Sequence, residues 1–133
     1  MRTVPDTNVL IASLISRGFC HELLEHCFLN HTLFTSEFIL DEVKEKLVEK
    51  FKYSTETAEE AVALFRSRME VVTPVALSSP VSRDPDDDNI LATAVAGNCD
   101  CIITGDKDLL VLKQFEGIKI LTPREFSDQE SAE

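Results

Sequence analysis

Long apolar stretches are missing from this chain. No run approaches the ~18 residues that would cross a bilayer. The amino-terminal residues form no signal-type hydrophobic segment, because Asp6 and Asn8 interrupt them. Both absences lead us to expect a soluble, cytoplasmic protein. Basic residues are scarce: 13 Lys and Arg stand against 24 Asp and Glu, a formal net charge of −11. That balance excludes a generic basic nucleic-acid coat. It leaves room for a local basic rim on an acidic protein. Closely paired metal-binding cysteines are missing too. Cys20, Cys27, Cys99 and Cys101 form no C-x-x-C, and His21, His26 and His31 are not spaced to complete a zinc site with them. The thiols read as small buried apolar groups. No nucleophile–base pair, internal repeat or low-complexity segment stands out.

What is present is an ordinary globular composition, 44% hydrophobic and 28% charged over 133 residues, enough for one domain with a real core. We assign that domain to residues 1–126 and read 127–133 as an acidic, disordered tail. Residues 2–5 read as a strand ending at Asp6, followed by a helical turn through Val9–Ile11. A helix is predicted from Cys20 to Leu29, with Leu23, Leu24, Cys27 and Phe28 on one face. Residues 32–35 read as a strand. Ser36 caps a helix to Phe51, with Ile39, Leu40, Val43 and Leu47 at helical spacing. Ser54 or Thr55 caps the next helix, to about Met69. Residues 70–75 read as a strand. Asp86 or Asp87 caps a helix through Ala96 that Gly97-Asn98 stops. Strands at 100–104 and 118–121 flank a short helix at 106–113, and Pro123 starts a final helical turn. Strands alternating with helices predict an α/β layered fold with a mostly parallel sheet and right-handed crossovers.

In such a sheet the active site lies beyond the carboxyl ends of the strands. Asp6 and Asp106 are both predicted just there. Asp88 heads the series Asp88, Leu91, Ala92, Val95, at i, i+3, i+4 and i+7, so it reads as an acid on a buried stripe. Burying it unpaired costs several kcal/mol, of which a helix N-terminus offsets roughly 0.3–1 kcal/mol. A cation would supply the rest. Glu42 lies about 60° from the apolar arc of its helix. Each acid alone has an ordinary explanation: Asp6 and Asp106 as turn residues or N-caps, Asp88 in an exposed first turn, Glu42 paired with Lys46 on a solvated face. The joint pattern favours a shared site. Acids that the fold gathers repel one another, and a hard divalent cation relieves the repulsion.

The motifs Asp6-Thr7-Asn8-Val9-Leu10, Glu42 within Ile39–Val43, Asp84-Pro85-Asp86-Asp87-Asp88-Asn89-Ile90-Leu91-Ala92 and Thr104-Gly105-Asp106-Lys107-Asp108-Leu109-Leu110 resemble those of the PIN domain family. The likeness runs to about Pro123. It is to bacterial and archaeal members assigned as toxins of toxin–antitoxin pairs. The resemblance implies a three-layer α/β/α fold and a Mg²⁺- or Mn²⁺-dependent endoribonuclease. It implies an acidic quartet of Asp6, Glu42, Asp88 and Asp106, with Asn8 and Thr104 as polar neighbours. Asp84 and Asp108 are additional acids in a supporting position. It also implies homodimers and a small antitoxin partner. The chain departs from the family at Pro5, where an apolar residue normally precedes the first Asp.

The mechanism this predicts is phosphodiester hydrolysis of RNA. One or two ions on Asp6, Asp88 and Asp106 would activate a water and neutralise the scissile phosphate, with Glu42 completing the cage or orienting the water. Arg83, Lys44, Lys46 and Lys107 are candidates for steering the RNA backbone. A second reading is a catalytically weak PIN fold that binds RNA or protein. A receiver-type phosphoacceptor fits less well, since neither Val71–Val75 nor Cys101–Thr104 cleanly supplies the Asp at a middle strand end and the Lys after a late strand that it needs.

Overall fold

The computed structural model describes residues 1–132. Its elements, in order, are β1 (Arg2–Pro5), α1 (Thr7–Ile15), α2 (Phe19–Asn30), β2 (Thr32–Thr35), α3 (Glu37–Glu49), α4 (Thr55–Arg68), β3 (Glu70–Val71), α5 (Pro85–Ala96), β4 (Cys101–Ile103), α6 (Lys107–Leu110), β5 (Gln114–Phe115), β6 (Ile118–Leu121) and α7 (Pro123–Ala132). The sheet order is β3-β2-β1-β4-β6-β5. Every pairing is parallel except the terminal β5–β6 hairpin. Consecutive residues of β1 and β4 are buried, not alternating ones: Thr3 and Val4, then Cys101, Ile102 and Ile103, are all 0% exposed. A strand buried on both faces needs a layer on each side. Helices α1 to α4 pack against one another, and α5 packs on β1 and β2. The mostly parallel α/β sheet is what the element order predicted, and the three-layer α/β/α arrangement is what the motif resemblance implied. No described helix is long and apolar enough to cross a membrane.

Pro5 lies in a central strand without disrupting it. Asp6 N–H donates to the Ile103 carbonyl at 2.9 Å, on the β4 side. Successive N–H groups of a strand point to alternate sides, so the Pro5 nitrogen faces β2. The pairing of β1 with β2 ends at Thr3–Leu33, before that position. The missing donor therefore falls where β2 pairing has finished, and Asp6 keeps its bond to β4.

Three segments differ from the sequence reading. The strand expected over 70–75 is only Glu70–Val71. Val72 N–H still donates to the Thr35 carbonyl at 2.9 Å, and the sheet pairing is then lost ahead of Pro74, which has no N–H. The helix expected over 106–113 is Lys107–Leu110. The chain then turns through Lys113, Glu116 and Gly117, all at positive φ, to form an unpredicted β5–β6 hairpin. The tail expected to be disordered from residue 127 is instead helical to Ala132, with Glu133 outside the described residues. A capping box explains its start: Thr122 Oγ1 accepts Glu125 N–H at 3.0 Å and Glu125 Oε1 accepts Thr122 N–H at 2.9 Å. Phe126 is fully buried, worth about 1.5–3 kcal/mol. Glu130 is hydrogen-bonded by both His26 and His31, on α2 and at its end.

Gly97 ends α5 at a close approach. A Cβ there would lie 2.9 Å from Phe34 Cδ2 and 3.0 Å from Cys99 Sγ. Phe34 cannot readily yield, since Arg2 stacks over its ring at 4.4 Å and donates from Nε to the Gly97 carbonyl at 2.8 Å. Gly97→Ala should therefore destabilise the fold by about 1–3 kcal/mol through overpacking. Urea denaturation measures this, and an unchanged midpoint would show that the α5–β2 contact is loose.

Candidate metal centre

The connections from β1 run one way to β2 and β3, and the chain then returns to the other side of β1 to form β4 and β6. The strand order thus reverses between β1 and β4, the switch point beyond whose carboxyl ends open α/β sheets form their binding crevice. Asp6 follows β1, Thr104 follows β4, and Asp106 is two residues farther on. The three are tied together. The Thr104 hydroxyl donates to Asp6 Oδ2 and accepts Asp106 N–H at 2.9 Å. Both acids also cap helices. Asp6 Oδ1 accepts Val9 N–H at 2.9 Å and Asp106 Oδ1 accepts Asp108 N–H at 2.8 Å. The N-cap role and the clustering role thus coexist at both positions. Asp6 is buried, and burial lifts its pKa above the ordinary carboxylate value. Hydrogen bonds from Thr104 and Val9 oppose the rise, the Asp106 charge adds to it, and Lys46 opposes it.

On α5 the acid that heads the buried stripe is Asp87, where the spacing had suggested Asp88. The helix is capped by Asp84, whose Oδ1 accepts Asp86 N–H at 2.9 Å, with Pro85 as its first residue. Its buried stripe is Asp87, Ile90, Leu91 and Ala94, at i, i+3, i+4 and i+7. Asp87 is 5% exposed. Its carboxylate lies with those of Asp106 and Asp108, oxygen atoms of the three falling within 4.8 Å of one another. Ser82 Oγ donates to Asp87 Oδ2 at 3.1 Å. Burial first, then the charges of Asp106 and Asp84, push Asp87 up to about 7 against the Ser82 hydrogen bond. Asp88, rotated about 100° round the helix, accepts the N–H groups of Val81 at 3.2 Å and Ser82 at 2.8 Å instead. It pins the loop before α5 and faces the groove beside residues 74–80.

The remaining predicted residues divide. Glu42 is half-buried and accepts the hydroxyl of Thr7, the residue after Asp6, which places it beside the Asp6 turn but outside the Asp87–Asp106–Asp108 group. Asp84 is an exposed cap. Asn8 is exposed and accepts from Lys46 Nζ at 3.3 Å. Arg83 reaches the cluster, donating to Asp108 at 2.8 Å. Lys107 is exposed beside the cluster. Lys44 is paired with Glu59 of α4 at 3.0 Å and is not gathered with the others.

A divalent cation suits this set. The donors are all carboxylate oxygens, which hard cations prefer, and the raised pKa values of Asp6 and Asp87 mark negative charge short of partners. The PIN domain family profile matches residues 2–108. The chain belongs to the PIN domain family. No curated protein matches it. Among solved structures, this PIN domain is similar to VapBC2 from Rickettsia felis bound to a DNA fragment from their promoter, at TM-score 0.65 and 17% identity over 90% of this chain and 97% of that one. It is also similar to VapBC-1 from nontypeable Haemophilus influenzae, at TM-score 0.65 and 18% identity over 93% and 99% of the two chains. At these identities the likeness is one of fold.

The buried carboxyl has a pH signature. Asp87 moves from an ordinary 3.8 to about 7 on folding. Between those values the folded PIN domain holds a proton that the unfolded chain has lost. The resulting stability is complete below the lower value and disappears as pH rises through the upper one. Metal-free protein should lose urea stability across that window, and Asp87→Asn should flatten the slope. A slope unchanged in the variant would show that Asp87 is not the group responsible.

Proposed function

We propose that this PIN domain is a divalent-metal-dependent endoribonuclease and the toxin of a toxin–antitoxin pair. The observation that supports this most is the gathering of chain-distant carboxylates at the β1/β4 crevice, Asp6 tied through Thr104 to Asp106, and Asp106 grouped with Asp87 and Asp108. Asp6, Asp87 and Asp106 would hold Mg²⁺ or Mn²⁺, with Asp108 beside them. The ion, when bound, supplies a Lewis acid for the scissile phosphate and lowers the pKa of the attacking water.

The chain's own residues position the rest. Thr104 fixes the Asp6 oxygen and the Asp106 loop together. Ser82 orients Asp87. The Thr7 hydroxyl occupies Glu42 Oε1, leaving Oε2 to accept a hydrogen bond from a water. Lys46 and Arg83 are cations at the rim of an otherwise acidic crevice, suited to phosphates of the RNA backbone. Lys107 joins them from the exposed start of α6, whereas Lys44 is engaged elsewhere. The motif resemblance to toxin members, and the VapBC assemblies that share the fold, support a small antitoxin as partner. Homodimerisation follows from the resemblance alone.

Asp6→Asn, Asp87→Asn and Asp106→Asn should each lower Mn²⁺-dependent cleavage of a single-stranded RNA by more than roughly a hundredfold, with the fold retained by circular dichroism. Asp88→Asn should stay within a few-fold of the parent, because its carboxylate holds a loop. Full activity in the Asp6 and Asp87 variants would remove the mechanism. Loss in Asp88→Asn with activity kept in Asp87→Asn would reverse the assignment on α5.

A further inference from the structure

A second cluster lies at the opposite rim of the sheet. His26 is in the last turns of α2, His31 follows α2 and leads directly into β2, and Glu130 is on α7, which packs against α2. Both imidazole Nε2 atoms converge on the same oxygen, Glu130 Oε1, that of His26 at 2.8 Å. Ligand atoms of the three residues lie within 4.8 Å of one another. The rings are held. They meet edge to face at a centroid separation of 5.8 Å, and His31 packs against the buried Phe126 ring at 5.6 Å. His31 precedes β2, whereas the acidic crevice lies beyond the carboxyl ends of β1 and β4, so the two clusters are on opposite ends of the strands.

We propose that His26, His31 and Glu130 form a transition-metal site, selective for Zn²⁺ over the hard cations suited to the acidic centre. Two imidazoles and one carboxylate are a zinc donor set that leaves a fourth position for water. Mg²⁺ and Ca²⁺ take oxygen ligands in larger number and have little use for imidazole. The ligand atoms already converge, and the adjustment needed is the short separation that opens as a cation enters between them. For Nε2 to bind the metal, the proton it points at Glu130 moves to Nδ1 of the same ring, leaving the Nε2 lone pair free. His26 Nδ1 faces the Asn30 amide at 3.2 Å, whose oxygen accepts that proton once the amide is turned over. His31 Nδ1 has the Met1 nitrogen 3.0 Å away. An outer partner is what fixes metal-bound histidines, and Asn30 is placed to be one for His26. The fourth position opens toward solvent, since the His26 side chain is 43% exposed. Beside it is a shallow pocket that Arg124 and Ser127 line. Bound metal would pin α7 to α2.

The test titrates the metal-stripped full chain with ZnCl₂ by calorimetry at neutral pH, in excess Mg²⁺ that competes for the acidic centre. The expected result is saturable binding of one zinc per chain and a raised thermal midpoint. His26→Ala, at a half-exposed position that should not disturb folding, should weaken binding at least about tenfold, the smaller loss seen even for outer partners. Glu130→Gln should do the same, while the Asp6→Asn/Asp87→Asn double variant should bind zinc as the parent does. With CoCl₂ in place of zinc, the parent should show the visible absorption of a four-coordinate nitrogen–oxygen site, and His26→Ala should not. Absence of saturable zinc binding, or binding that follows the Asp6/Asp87 variant and ignores His26→Ala, would overturn the proposal and leave the cluster as an ion pair.

Discussion

The crevice depends on how two strand ends are held side by side. Asp6 N–H bonds to the Ile103 carbonyl, and one residue beyond β4 the Thr104 hydroxyl reaches back to the Asp6 carboxylate while accepting the Asp106 N–H. One main-chain bond and one side-chain hydroxyl therefore bring together two acids separated by most of the chain. The strand reversal at β1/β4 makes the space, but it does not by itself aim any side chain. Thr104 does that, and it is fully buried. A hydroxyl in that place cannot be exchanged for a methyl without leaving a buried carboxylate oxygen short of a donor, a cost of about 1–3 kcal/mol or more for a charged group.

Much of this was legible in the residues. Strands ending in Asp6 and Thr104-Gly105-Asp106, with helices between, lead to a parallel sheet whose carboxyl edge carries both acids, and both lie there. The helices capped by Ser36 and Ser54 begin where their hydroxyls accept the N–H groups of Ile39 and Thr57. These features are local, set by capping chemistry and apolar spacing within one element. What escaped was set by neighbours. Val72 to Val75 have the composition of a strand, yet Pro74 and the lack of a further partner leave them outside the sheet. Residues 127–133 read as an acidic tail, yet the helix begun at Pro123 runs on to Ala132, its stabilisation resting on one buried ring and on Glu130 meeting two histidines.

Two stripes on α5 fit the spacing rule equally well, and the structure buries the one headed by Asp87. Asp88, Leu91, Ala92, Val95 and Asp87, Ile90, Leu91, Ala94 are both acid-headed and apolar at the required intervals. The stripe that faces the core is the one bearing Ile90 together with Leu91, the bulkier pair, while Val95 remains partly exposed. Weighing side-chain volume as well as periodicity would have chosen Asp87. A helix turns about 100° per residue, so a slip of a single position moves a carboxylate from the crevice to the back of a loop.

Stability and function pull against each other in this crevice. Asp6, Asp87, Asp106 and Asp108 are gathered with few cations to balance them, and Asp6 and Asp87 are buried besides. The fold supplies partial relief. Asp6 and Asp106 accept N–H groups from the helix starts they cap, Ser82 and Thr104 donate hydroxyls, and Lys46 and Arg83 stand at the edge. That the Asp87 carboxyl is still pushed toward neutrality shows the relief is incomplete. The same arrangement that destabilises the metal-free chain would give a divalent cation its affinity, since the repulsion would be released as the ion bound. A replacement that settled the acids permanently, such as a lysine beside Asp87, would strengthen the fold and remove the reason for an ion to enter. On the proposed function, the excess negative charge at this rim is stability withheld from the metal-free chain that ion binding would return.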